Sequence, residues 1–457
     1  MKYSKMMPQP TARADVRSTD SKAPSADSRV GESPLLRHPH RLAAVGLLAI
    51  ASVPTYAASL DQQIRSLLAK DGNQLGCAQL VGSSPRQTGG GQQPLNFGPQ
   101  LASLCGTIPA GNPPPVGGAP GGGAAGSSAA GAAFSALGQA DLVLKKRRGQ
   151  ADAGQDLAKG GAAGDGEMAL LPGVNLFFNA DYRALDRRQT ELERGYASNE
   201  AGFSLGIDTM PTDWAVAGLA VNYSRWHGDQ LNGGGFDTDS YGPTLFASLF
   251  PWQGFFADLS FQYLRKDGSN ANRRDYLRED NTNFGGAISG TPGADQFEGN
   301  LSTGYDLTLG GLTLGPRATV RYRHAAMDAY SEQGSSGLEL RYLADRLTSV
   351  QSSVGAQASY AISTSWGVLV PQVNADWTHE YDNGQRTIYV QFAQDYRAVP
   401  TTFGFQTDRP DRDFFHVGGG LVAMIPNGWQ AYANFEALLG HAYFDNYIGT
   451  VGIRLGL

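Results

Sequence analysis

At 457 residues, with a net charge of −6, sixty glycines and 10% aromatic residues, the chain departs from the composition of an ordinary soluble multidomain protein. No basic patch is dense enough to follow a phosphate backbone, which argues against a nucleic-acid partner. Beyond the amino end no apolar run approaches the roughly 18 residues of a membrane helix, so insertion into a bilayer would have to be by strands.

In chain order, Leu42 to Ser52 form a short apolar run preceded by Arg37 and Arg41, with small Thr55 and Ala57 placed for signal-peptide cleavage. Residues 1–57 therefore read as a secretory signal, cut after Ala57. Its n-region, Met1 to His40, is long, and is either an extended signal or lies upstream of the start that is used. Export to an oxidising compartment makes a disulfide the favoured reading for the two cysteines, Cys77 and Cys105, since a metal site would want more ligands nearby.

Residues 58–133 start with a short helix. Ser59 and Gln62 make a capping box, Leu60, Ile64, Leu67 and Leu68 share one face, and Gly72 can end it. A further helical turn around Leu101, Leu104 and Cys105 could pack on it. Gly89 to Gly91, Pro113 to Pro115 and Gly121 to Gly123 have the composition of a flexible linker. Within 134–171, Leu137, Leu142 and Leu144 with Lys145, Lys146, Arg147 and Arg148 could form a basic helix, although Gly149 and Gly154 each cost about 1 kcal/mol against alanine. That basic run is either a solvated face or, if a hollow acid-lined barrel follows, a helix that spans its pore.

From 172 to 457 the chain alternates with a period of two, in segments parted by tight turns and longer loops. Twelve strands are expected, at 174–184, 200–209, 214–226, 238–250, 255–266, 296–309, 312–324, 347–361, 367–380, 412–425, 429–441 and 447–457. On the seventh, Arg317, Arg321 and Arg323 oppose an apolar face, and three arginines cannot face hydrocarbon, so that side must line a wet lumen. Glu298, Asp376 and Glu436 share the lumenal parity, which predicts a charge network. The segment 385–394 also looks strand-like, but an even strand number assigns it to an outer loop. The last strand puts Tyr447, Val451, Ile453, Leu455 and Leu457 on one outward face. Tyr182, Tyr223, Tyr263, Tyr305, Tyr322, Tyr360 and Trp377 lie towards strand ends, as an aromatic girdle would. The fold expected is all-β, a twelve-stranded antiparallel transmembrane β-barrel with a pore-threading α-helix.

Several phrases together carry a family resemblance. These are Asn222-Tyr223-Ser224 before Asp239-Ser240-Tyr241-Gly242, Gly315-Pro316-Arg317-Ala318 with Tyr322 and Tyr330-Ser331-Glu332, Trp377-Thr378-His379-Glu380-Tyr381, and Val451-Gly452-Ile453-Arg454. In that order they resemble the autotransporter translocator domain of Gram-negative outer membranes. The resemblance implies a helix in the lumen, linking the barrel to an amino-terminal passenger. It further implies partners in outer-membrane lipid, the barrel-assembly machinery and periplasmic chaperones, a monomer, and the terminal strand as assembly signal. The family usually ends in phenylalanine, whereas this chain has Leu457 at the same outward parity. Family passengers are long solenoids or enzymes; here the stretch before the linker is short, and is either a small surface module or a periplasmic plug.

No nucleophile elbow, His-Glu-x-x-His motif or metal-spaced cluster is present, so neither enzyme activity nor a cofactor is expected. His379-Glu380 and His416 with Asp411 and Asp413 near the outer rim read as loop and lumen hydrogen bonding, with an omptin-like protease site the remote alternative. The leading function is an outer-membrane barrel that anchors, secretes or displays a short amino-terminal passenger. The alternative is an adhesive or structural surface protein acting through its loops.

Overall fold

The alternation that begins at Val174 closes into one antiparallel ring. The computed structural model describes Leu60, Gln63, Ile64 and Leu67, and residues 173–231, 233–277 and 282–456. The signal segment, Cys77, Cys105, the linker residues Lys145, Lys146, Arg147 and Arg148, and Leu457 lie outside the described residues.

The strands are β1 Val174–Arg187, β2 Tyr196–Thr212, β3 Ala215–Gln230, β4 Gly235–Leu249, β5 Phe255–Leu277, β6 Asn283–Gly290, β7 Gly293–Tyr305, β8 Leu307–Leu309, β9 Leu312–Met327 and β10 Tyr330–Ser331. They continue as β11 Gln333–Gly334, β12 Leu340–Tyr342, β13 Asp345–Tyr360, β14 Ile362–Thr364, β15 Gly367–Glu380, β16 Thr387–Phe392, β17 Thr402–Gln406, β18 Asp413–Met424, β19 Trp429–Leu439 and β20 Phe444–Gly456. The barrel's twelve staves are β1, β2, β3, β4, β5, β7, β9, β13, β15, β18, β19 and β20. Successive staves pair around the ring, and β20 closes on β1 in a register running from Asn175 opposite Gly456 to Arg187 opposite Phe444. A closed ring leaves no unpaired edge, which a bilayer would not tolerate.

Tight turns gather at one end. Between β18 and β19, Ile425 N donates to Trp429 O at 2.9 Å across the three-residue connection Pro426-Asn427-Gly428, and Asn427 and Gly428 take φ of 67° and 75°, a left-handed conformation that Asn and Gly adopt most readily. Longer loops gather at the other end and carry strands of their own, which assigns them to the outer surface and the tight turns to the periplasm. One outer element is a four-stranded cap sheet in the order β10-β12-β16-β17. The strand-like stretch at 385–394 is found here as β16, outside the ring.

Burial is inverted relative to a soluble protein. Side chains facing the lumen, among them Arg183, Glu200, Ser204, Asp258, Glu298 and Thr378, are buried and polar. The opposite face exposes Leu245, Val221, Phe261, Leu301, Val373 and Val451. A lipid solvent accounts for both, since apolar groups gain nothing by turning inward and polar groups have no other place to go. Toward the periplasmic end, inward Phe177, Phe246 and Phe256 lie over Gly206, Gly218 and Gly304, whose missing side chains make room for the rings.

β5 runs eleven residues past the expected limit at 266, and β6 returns beside it. This extension stands above the membrane, so its residues, such as Asn270, Asn272 and Arg274, lack the apolar alternation that marks the rest.

Candidate functional site

The lumen wall is built by register. β9 turns Arg317, Arg321 and Arg323 inward. Arg317 Nε donates to Asp376 Oδ1 on β15 at 2.7 Å and its Nη2 to the other carboxylate oxygen, making a bidentate fork. Arg323 Nε donates to Glu298 Oε2 at 2.8 Å. Arg321 Nε donates to Asn300 Oδ1 at 2.8 Å and lies 3.6 Å from Glu298 Oε1. Glu436 stands apart from these and meets His416 Nδ1 at 3.2 Å. The six residues singled out by sequence are thus all lumenal, divided among three clusters.

Two further ion pairs in the lumen involve none of those six residues. Arg183 Nη1 meets Glu200 Oε2 at 2.7 Å, with Ser224 donating to the other oxygen of Glu200, and Arg454 Nη2 meets Asp208 Oδ1 at 2.9 Å. The second reaches from β20 to β2 across β1 and bolts the closing seam. Glu200 and Asp208 share β2, which carries no cation of its own, and only the register brings Arg183 and Arg454 to them. Inward parity combined with the closing register could have found them. A charge buried this deeply requires a partner, so the pairs are conditions for closure as well as a polar lining.

On β20, Tyr447, Val451 and Ile453 expose about half their surface on the outer face, with Leu455 half-buried, while Ile448 and Thr450 are buried in the lumen.

At the outer rim, Arg187, the last residue of β1, donates through Nη2 to Glu193 Oε2 at 2.7 Å and also to Asp408, tying two loops to the barrel wall. Thr190 and the Asp408 amide complete this latch, and the Arg187 guanidinium packs 5.2 Å from the Phe444 ring centre. Burial pushes the Glu193 carboxyl above its ordinary range despite the attraction of Arg187. Beside the latch is a cavity of about 480 Å³, lined by Arg187, Arg386, Phe414, His441 and Phe444 among others. His441 is pushed down to about 4 by burial, against the pull of Asp411, and its Nδ1 accepts from the amides of Tyr443 and Phe444.

The rim residues considered for proteolysis do not converge. His379 points outward and pairs with Asp413 at 2.8 Å, whereas Glu380, the next residue on β15, and His416 on the neighbouring β18 turn inward. Asp411 instead accepts from the Ala442 amide. Among the described residues no group of three or more His, Cys, Asp or Glu could hold a metal ion.

The outer cap holds the remaining feature. Leu60 and Ile64, both helical, are buried with Tyr276, Leu338, Leu340, Val390, Phe392 and Phe405 in one apolar cluster, and Leu67 packs against it.

A closed antiparallel ring with an apolar exterior and a charged lumen defines an outer-membrane β-barrel protein, of the kind found in Gram-negative bacteria. More narrowly, the chain belongs to the autotransporter beta-domain family, whose model matches residues 176–436. Curated relatives include outer membrane protein B of Rickettsia typhi, 26% identical over 273 residues, and that of Rickettsia rickettsii, 22% identical over 267 residues. Each match covers 57% of this chain and only 16% of the relative. Among solved structures, the translocator domain of the autotransporter NalP from Neisseria meningitidis is similar with a TM-score of 0.49 and 16% identity, covering 68% of this chain and 98% of that one. The beta domain of the Bordetella autotransporter BrkA follows with a TM-score of 0.43 and 15% identity, covering 62% and 100%.

Proposed function

We propose that this protein is an outer-membrane anchor that carries its own short amino-terminal segment through the barrel and displays it at the cell surface. One observation carries the reading. Leu60 and Ile64 are buried at the outer cap, while β1 starts with Val174 at the opposite, periplasmic end. The ring between them is closed and its outside is apolar, so this reading takes the connecting residues, including Lys145, Lys146, Arg147 and Arg148, through the lumen. The paired charges of the lumen suit a polypeptide as their neighbour. In this reading the lumenal network that includes Glu298, Asp376 and Glu436 lines the path of the basic run, β20 presents Tyr447, Val451, Ile453, Leu455 and Leu457 to the assembly machinery, and periplasmic chaperones deliver the unfolded chain. The protein acts as a monomer without enzymatic chemistry, and Cys77 and Cys105 staple the displayed segment.

The test is shaving of intact cells by an added protease, with one epitope tag after Ala58 and another within residues 381–411. Both tags should be cut. An amino-terminal tag that survives while the loop tag is removed would defeat the display reading.

A further inference from the structure

The cap sheet is amphipathic. Leu340 and Tyr342 on β12, Ile388, Val390 and Phe392 on β16, and Phe403 and Phe405 on β17 are buried, and the residues between them are exposed or half-buried. A sheet standing above the membrane cannot leave such a face to water. Its cover includes Leu60, 2% exposed, and Ile64, 0% exposed, with Leu67 beside them. Spacings of four and three residues put all three on one face of a helix.

The receiving surface is composite. It draws on the tip of β5 through Tyr276, on the β10–β12 loop through Leu338 and on the β16–β17 hairpin. The β5 tip and the β10–β12 loop are fastened beneath by Arg274, which pairs with Glu332 at 2.8 Å and also donates to the Leu338 carbonyl; both side chains of that pair are fully enclosed. Three loops are therefore arranged around one apolar seat. A passenger simply tethered by its linker would not require such a seat.

We propose that Leu60, Ile64 and Leu67 form a clasp that binds the amino-terminal segment non-covalently to the outer cap, so that the segment stays on the barrel after the chain between them is cut. Its place at the cell surface rests on the display reading above, but the contact itself does not.

The experiment uses the full-length chain, purified folded in detergent, with a tag after Ala58 and a site-specific protease sequence inserted after Gly122. After cutting, the tagged fragment should co-elute with the barrel on size exclusion. In the Leu60→Asp/Ile64→Asp variant the co-eluting fraction should fall by about tenfold or more, because each carboxylate would be buried without a partner. Both substitutions lie in the fragment, and the barrel's folding is checked independently by its altered mobility in unboiled gels. Release of the wild-type fragment on cutting would overturn the clasp. So would retention of the doubly substituted fragment, since another part of the segment would then be holding it. A retained fragment whose tag is shielded on cells would leave the clasp standing and remove the display reading; a surface-exposed tag on a released fragment would do the reverse.

Discussion

Arg317 and Asp376 form a bidentate pair although a whole stave separates them. They lie on β9 and β15, and both are paired in register with Gly355 on β13 between them. A Cβ at Gly355 would come within 2.4 Å of Asp376 Oδ1 and 2.2 Å of the Ala375 carbonyl, so the fork passes over that strand only because the residue there is glycine. Gly355→Ala should accordingly weaken the barrel as Asp376→Ala does. Removing one partner of so buried a pair costs about 3–5 kcal/mol. Both variants should lose the folded gel band at a distinctly lower temperature than the parent chain, and an unchanged temperature for Gly355→Ala would show that the strand can shift aside.

On the lipid face the cost of a charge should depend on depth. Leu245 is 60% exposed between Leu219 and Phe261, well inside the apolar belt. Leu245→Arg should cost about 2–4 kcal/mol. Tyr241, four residues nearer the outer rim, already donates to Asp267, and Tyr241→Arg should cost at most about 1 kcal/mol because the guanidinium reaches headgroups and that carboxylate. Chemical denaturation of the two variants in bilayers would measure the difference.

The latch at the rim predicts a local effect. Arg187→Ala removes the cation shared by Glu193 and Asp408 and leaves both carboxylates without it. The loop of residues 381–412 should then be cut by external protease several times faster, while the barrel band in unboiled gels stays in place. Equal cutting rates would mean that β16 and β17 hold the loop without the latch.

His441 should make the turn between β19 and β20 sensitive to acid. Its folded pKa is depressed from 6.5 to about 4, so the fold favours the neutral ring, whose Nδ1 accepts two backbone amides. The contribution is fully present above 6.5 and is lost as pH falls through about 4, with a ceiling of about 3 kcal/mol. Amide exchange at Tyr443 and Phe444 should quicken over that window, after correction for intrinsic rates. In His441→Gln the acid-dependent increase should be absent.

Much of this protein is determined by sequence acting locally. A period of two over a bilayer's thickness assigns each side chain to lipid or lumen one residue at a time, which is why the twelve staves, their parity and the inward turn of Arg317, Arg321 and Arg323 are legible without coordinates. Tight turns such as Asn427-Gly428 are equally local, since backbone conformation alone selects their residues. Tertiary structure decided the rest. The partners Arg317–Asp376 and Arg454–Asp208 depend on the register of three adjacent staves, and the bridging position Gly355 carries no sign of it in its own segment. His379 and His416 look like neighbours in a rim site until alternation sends them to opposite faces. Above the membrane there is no lipid to impose a pattern, so the outward run of β5, the cap sheet and the seat of Leu60 and Ile64 are set by contacts among loops far apart in the chain.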